Sequence, residues 1–348
     1  MIKVVRCVGE EKMRANIVDN AIKCREEIGT IDAKGKKPMQ IAFSGTSDYL
    51  HHTGITMTSI LMNNPERLVV FHLMINGISA EDKSKMEELA NKWHCKIYLY
   101  YINDDFFKSM LHRDGIAAFF YRFLISPVLK GKTDRVLYMD GDVMCRGNLS
   151  EFFDMQLGNV TAACVRDKND EVAAQKAKLI GTHQYFNSGV MLINVESWCQ
   201  RGLTEKACQM AIERHNSGKP LRTHDQDILN VLMDGYVRMV SPVYNTNYNV
   251  SMKAVYEKQW PLPELKDARL VHFTGVVKPW RTWVQELPGV KEYNEYRLAS
   301  PWKDVPLVGI KGHKDIHQAA RNERRLGNYK KMFYYYWKYA EAKLKGED

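Results

Sequence analysis

The chain is 348 residues long and 45% hydrophobic, enough to bury a sizeable core and to exclude disorder over most of its length. Its longest apolar runs, such as 116–121 and 189–193, fall far short of the roughly 20 residues a membrane-spanning helix needs. Residues Met1–Glu10 lack an apolar stretch long enough for a secretory signal, so the chain is expected to stay in the cytosol. Fifty basic against 41 acidic residues leave a net charge of +9, which favours anionic partners. Residues 311–348 alone hold ten Lys or Arg and five Asp or Glu. The rest of the chain is near balance, which argues against nucleic-acid binding along a long basic groove. Seven cysteines, none in a C-x-x-C pair, read as free thiols of a reducing compartment.

Residues 1–38 mix charges without clear periodicity and close on Lys34-Gly-Lys-Lys-Pro38, which marks them as an N-terminal extension ending in a surface connection. Beyond it, 39–44, 68–75, 96–102 and 135–139 read as strands separated by helix-length segments. Ser79 with Asp82 three residues on marks a helix start, and Met86, Leu89, Ala90 and Trp93 recur on one face behind it. The alternation predicts an α/β fold, a mostly parallel sheet with helices on both faces, and such sheets bind ligands outside the carboxyl ends of their strands. At the far end, residues 329–339 set a run of aromatic side chains among lysines. That composition suits either a membrane interface or a helix docked on the main domain.

The strand Arg135-Val-Leu-Tyr-Met139 ends in Asp140-Gly-Asp142. In extended backbone the two carboxylates point the same way, and a convergent pair suits Mg²⁺ or Mn²⁺, which keeps positions open for phosphate oxygens. About one Asp-x-Asp is expected by chance in a chain with this many aspartates, and Asp225-Gln-Asp227 is a second. Position at a strand end, with glycine between, singles out the first.

Together with Tyr185-Phe-Asn-Ser-Gly-Val-Met-Leu-Ile-Asn194, Asp225-Gln-Asp-Ile-Leu-Asn230 and His272-Phe-Thr-Gly-Val-Val-Lys-Pro-Trp280, this block resembles the retaining glycosyltransferases of family eight in order and spacing. Within that family the likeness is to bacterial lipopolysaccharide core glucosyl- and galactosyltransferases, through the N-terminal extension and the box Ser300-Pro-Trp-Lys-Asp-Val-Pro-Leu307. The resemblance spans roughly residues 38–345. It implies a single Rossmann-like nucleotide-sugar-binding domain of GT-A type at 39–290, followed by a helical basic and aromatic segment at 291–348 that associates with membrane.

The resemblance also implies site roles. Asp140, Asp142 and His272 would hold a divalent metal, Mn²⁺ or Mg²⁺, against the donor's diphosphate. Gly141, between the aspartates, would be among the cofactor-binding residues, Gly275 would let backbone approach the phosphates, and Lys278 would add a point charge there. Arg122, Asn187, Asp225 and Gln226 would meet the donor sugar, with Asp225 and Gln226 carrying the chemistry. From the residues alone, Arg122 also reads as a surface helix charge, Asn187 as a turn residue before Gly189, and Asp225 as the N-cap of a helix over 227–233. Uracil would be read by Thr46 or Asp48, where relatives usually carry Asp and Asn, or by backbone near Phe43, or else the nucleotide would be held mainly by its phosphates. Tyr185 and Phe186 read as packing, and His51-His52 and His313-Lys-Asp-Ile-His317 as solvated surface. Neither a P-loop nor a dinucleotide-binding glycine motif is present.

The expected activity is therefore transfer of glucose or galactose from UDP-glucose or UDP-galactose to the lipopolysaccharide core, with α configuration retained. The enzyme would lie peripherally on the cytoplasmic face of the bacterial inner membrane, held by its C-terminal segment. The alternatives are a same-fold hexosyltransferase acting on a protein or wall polymer and, remotely, a basic nucleic-acid-binding protein.

Overall fold

The structure, a computed structural model, describes residues 17–32, 35, 37–110, 116–168, 170–177, 179, 184–217, 224–250 and 265–346. Met1–Glu10, read above for a secretory signal, lie outside the described residues. The expected β/α alternation appears as β2 (Met39–Gly45), α1 (Leu50–Asn63), β3 (Val69–Ile75), α2 (Ala80–Trp93) and β4 (Lys96–Ile102). It continues through β5 (Arg135–Met139), β6 (Val143–Cys145), β7 (Ala162–Arg166), β8 (Phe186–Asn194), α3 (His224–Leu232) and β9 (Val237–Met239). Then come β10 (Thr246–Asn247), β11 (Leu270–His272), α4 (Pro288–Ala299), α5 (Gly312–Arg325) and α6 (Tyr329–Lys345). An unexpected strand, β1 (Ile22–Ile28), precedes them within the stretch that showed no periodicity. It pairs antiparallel with β4 at the sheet edge, leaving most of its side chains partly or fully exposed, so its sequence never needed to alternate.

The strands form an eight-stranded sheet in the order β1-β4-β3-β2-β5-β8-β7-β9 and a small one, β10-β11-β6. Strands β4, β3, β2 and β5 run parallel, as the alternation predicts, while β8, antiparallel to both β5 and β7, and the edge strand β1, antiparallel to β4, make the sheet mixed. Apolar side chains pack on both faces. One layer includes Ile41, Phe43, Leu73 and Leu99, the other Tyr138, Met191, Phe123 and Trp198. Ser79 caps α2 by accepting from the Asp82 N–H, and Met86, Leu89 and Ala90 are buried behind it.

The C-terminal helices are bound to this frame by Trp302 of the Ser-Pro-Trp box. Its ring is fully buried, and its indole N–H donates to Asp82 Oδ1 at 2.8 Å. The ring lies so close over α1 that a Cβ on Gly54 would come within 2.4 Å of it. Glycine at 54 is thus a packing requirement on an otherwise helix-forming segment. Trp302→Ala should lower stability by about 3–5 kcal/mol, the usual cost of emptying a buried tryptophan site, read as a lower denaturant midpoint at unchanged slope.

Candidate active site

The site forms where β5 ends and the two sheets meet. The turn Asp140-Gly-Asp142 leads directly into β6, and β6 pairs antiparallel with β11 so that His272 lies opposite Val143. That register brings a histidine 130 residues downstream beside the aspartates: its Nε2 is 3.3 Å from Asp142 Oδ1 and 3.8 Å from Asp140 Oδ2. One ligand atom from each of the three residues lies within 4.8 Å of the others. Two carboxylate oxygens and an imidazole nitrogen are a donor set for a hard or borderline divalent cation. The packing leaves space at this point. A Cβ on Gly189 of β8 would come 2.3 Å from His272 Cε1 and 2.8 Å from Asp140 Oδ2, so any larger residue there would invade the cluster. The residues present fit a metal.

One buried and one half-buried cation hold the carboxylates. Arg122, only 5% exposed, lies 2.9 Å from Asp140 and 3.0 Å from Asp225, and also donates to the Ser188 carbonyl at 3.0 Å. Tyr138 donates to Asp140 Oδ1 at 2.6 Å and meets Ser44 Oγ at 2.9 Å. Lys278 Nζ pairs with Asp142 Oδ2 and donates to the Phe273 carbonyl. Burial pushes the Asp142 carboxyl up, but Lys278 and His272 outweigh it and hold it well below the usual carboxylate range. At Asp225 burial wins against Arg122, and the carboxyl is pushed up to about 6.

The residues expected to meet the sugar lie beside this cluster. Gln226 Oε1 accepts from the Ser188 N–H at 2.9 Å, and its Nε2 faces Asp167 Oδ2 at 3.5 Å. Asn187 Oδ1 accepts from the Gly189 N–H at 3.0 Å, its Nδ2 donates to Asp167 Oδ2 at 3.2 Å, and Asn245 Nδ2 donates to Asn187 Oδ1 at 2.8 Å. Asn245 Oδ1 in turn lies 3.1 Å from His272 Nδ1. Gly141 is crowded: a Cβ there would strike Thr53 Oγ1 at 2.5 Å, while its carbonyl accepts from Thr56 at 2.9 Å. Gly275 takes φ +89, which favours glycine, in an exposed loop beside Asn249. Thr46 and the exposed Asp48 lie at the carboxyl end of β2, and Phe43 is buried within that strand.

Several sequence expectations change. Arg122 is no surface charge, because its guanidinium is enclosed by two carboxylates. Asp225 is not an N-cap but sits in the first turn of α3, which starts at His224. His52 is 5% exposed and stacks on Trp280 at 3.5 Å between ring centroids, because the helix face it occupies is covered by the His272–Trp280 loop. His317 packs on Tyr339 of α6 at 4.9 Å rather than facing solvent alone. Six of the seven cysteines are described, and all six are free. Tyr138, Asp167, Ser188 and Asn245 belong to the site and were missed; only the position of Tyr138, two residues before Asp140 on the same strand face, could have signalled one of them.

A Rossmann-like sheet with an Asp-Gly-Asp turn at its central strand end, closed by a remote histidine, is the arrangement of GT-A type glycosyltransferases. The chain belongs to glycosyl transferase family 8: that family's model matches residues 40–284, and the model of the family's C-terminal region matches 288–343. It is 31% identical over 274 residues to a lipopolysaccharide 1,2-glucosyltransferase of Escherichia coli K12, covering 76% of this chain and 79% of that one. It is 28% identical over 312 residues to the lipopolysaccharide 1,3-galactosyltransferase of Salmonella typhimurium, covering 87% and 91%. Among solved structures, the galactosyltransferase LgtC in complex with donor and acceptor sugar analogs has the same fold, with a TM-score of 0.63 at 22% identity over 75% of this chain and 96% of that one.

Replacing Arg122 by methionine roughly keeps volume but leaves the buried Asp225 without its cation, beside the half-buried Asp140. The expected loss is about 3–5 kcal/mol of unfolding free energy, checked by urea denaturation.

Proposed function

We propose that the protein transfers glucose or galactose from UDP-glucose or UDP-galactose to a hydroxyl of the lipopolysaccharide core oligosaccharide, retaining the α configuration. The observation that carries this reading is the Asp140, Asp142 and His272 cluster with Lys278 against it, in a chain whose relatives are lipopolysaccharide glucosyl- and galactosyltransferases. Mn²⁺ or Mg²⁺ held there would neutralise charge on the departing diphosphate as a Lewis acid. The chain's own residues do the rest. Lys278 adds a cation that can turn from Asp142 to phosphate oxygen, and the Gly275 turn admits the phosphates to backbone. Arg122 and Asp225 form a rigid charged floor for the sugar, and Asn187 lies beside it. Thr46, Asp48 and backbone near Phe43, in and just after β2, would meet the uracil.

Gln226 is held by Ser188 and Asp167 with its amide fixed. An amide oxygen becomes cationic on attack, so Gln226 suits charge stabilisation at the anomeric carbon better than nucleophilic attack. We favour a front-face route in which the leaving phosphate oxygen takes the acceptor's proton. Turnover of UDP-glucose against UDP-galactose with Mn²⁺ on truncated lipopolysaccharide cores tests the assignment. Transfer of one sugar to a core acceptor is the expected result; transfer only to a protein or wall polymer would contradict it.

We take 39–290 as the catalytic domain and 291–348 as the segment that meets the membrane. No helix among the described residues is long and apolar enough to cross a membrane. Instead α6 divides its aromatics: Met332, Tyr335 and Tyr339 turn toward the body and α5, while Phe333, Tyr334, Trp337 and Leu344 are 67%, 53%, 60% and 89% exposed. Exposed Lys330, Lys331, Lys343 and Lys345 flank them. An outward apolar stripe edged by lysines fits an anionic bilayer surface, which would also carry a lipid-linked acceptor. The double variant Phe333→Ser, Trp337→Ser should bind anionic vesicles about tenfold more weakly, with transfer to a soluble acceptor fragment unchanged. Equal loss on both acceptors would contradict the membrane role.

A further inference from the structure

The hydrogen bonds around Asn245 can run in only one direction. The Gly189 N–H is an obligate donor, so the Asn187 atom it meets at 3.0 Å is oxygen, and the Asn187 NH₂ turns to the Asp167 carboxylate at 3.2 Å. The Asn245 atom 2.8 Å from that same Asn187 oxygen must then be its NH₂. This leaves the Asn245 oxygen facing His272 Nδ1 at 3.1 Å, and Nδ1 must carry the proton. With the proton held on Nδ1, Nε2, the nitrogen aimed at Asp140 and Asp142, is the one His272 can turn to a cation. The Asn187 end of the run is pinned twice, by the Gly189 N–H of β8 and by the Asp167 carboxylate.

The fold holds Asn245 in place for this. The residue is 2% exposed and lies immediately before β10, whose parallel register with β11 sets Asn247 beside His272. Its backbone N–H is also used, donating to the Pro242 carbonyl at 3.1 Å. Neither end of its side-chain amide is spare.

We infer that Asn245 is a positioning residue that joins the metal edge of the site to its sugar edge: its oxygen fixes the His272 ring in the Nδ1–H form, and its NH₂ orients Asn187 toward the donor sugar. The inference rests on the proposed function for the identity of the two edges. The two arms are separable by chemistry. Aspartate at 245 still accepts from His272 Nδ1–H but sets a carboxylate against the Asn187 oxygen. Leucine supports neither.

The test measures Mn²⁺ affinity without nucleotide by electron paramagnetic resonance, and then the KM for the UDP-sugar, in the wild-type chain, Asn245→Asp and Asn245→Leu, with melting curves for each. In Asn245→Asp the Mn²⁺ affinity should stay within about threefold of wild type while the KM for donor rises about tenfold. In Asn245→Leu the Mn²⁺ affinity should fall about 10–100-fold, the usual effect of removing a hydrogen-bond partner from a metal-bound histidine. If Asn245→Leu folds and binds Mn²⁺ as wild type does, or if Asn245→Asp loses metal and donor affinity in parallel, the inference is overturned while the metal site stands. Should Asn245→Leu not fold, the Asn245→Asp split alone decides. A wild-type chain that binds no Mn²⁺ would instead overturn the metal reading itself.

Discussion

Everything in this site depends on keeping like charges together in a place with little water. Asp140, Asp142 and Asp225 crowd one pocket, the last two 7% and 5% exposed. Carboxylates so placed repel one another and lose hydration, and each must find a cation or neutralise. Arg122 answers for Asp140 and Asp225, and Lys278 and His272 answer for Asp142. The balance is uneven by design of the packing: Asp142 stays ionised far into acid, whereas the Asp225 carboxyl is raised to about 6. Asp140 and Asp142, at the sheet rim beside His272, would draw a cation, whereas Asp225 lies behind them against Arg122.

The architecture follows from that need. The aspartates come at the end of a central strand, where parallel strands open a crevice, and a second small sheet closes over it to deliver His272. Gly189 and Gly141 keep the crevice from being filled by side chains. The loop from His272 to Trp280 is itself held down, with Trp280 on His52 and Tyr49, so Lys278 is delivered from a packed segment. The C-terminal helices lean on the same helix α1 through Trp302, which links the tail to the body that carries the chemistry.

Much of this could be read in the chain. The four strands at 39–44, 68–75, 96–102 and 135–139 appear within a residue of where periodicity put them, because central strands must be apolar and helices must show one wet face. The metal cluster was legible as a strand-end Asp-Gly-Asp plus a resemblance that pointed to His272. Asn245, Asp167 and Ser188 were not, since each is an ordinary polar residue whose role arises from partners tens of residues away. Edge strand β1 was invisible for the opposite reason: half in water, it carries no apolar pattern to find. His52 was misread because adjacency in sequence says nothing of the loop that folds over it.

The central claim is that the two aspartates and the remote imidazole seat a divalent cation that engages nucleotide. Calorimetric titration of UDP into the protein, with and without Mn²⁺, tests it most directly. The account predicts that Mn²⁺ tightens UDP binding by at least about tenfold, since a divalent cation held by these residues would offset the charge of the diphosphate. Equal UDP affinity in the presence and absence of Mn²⁺ would contradict it.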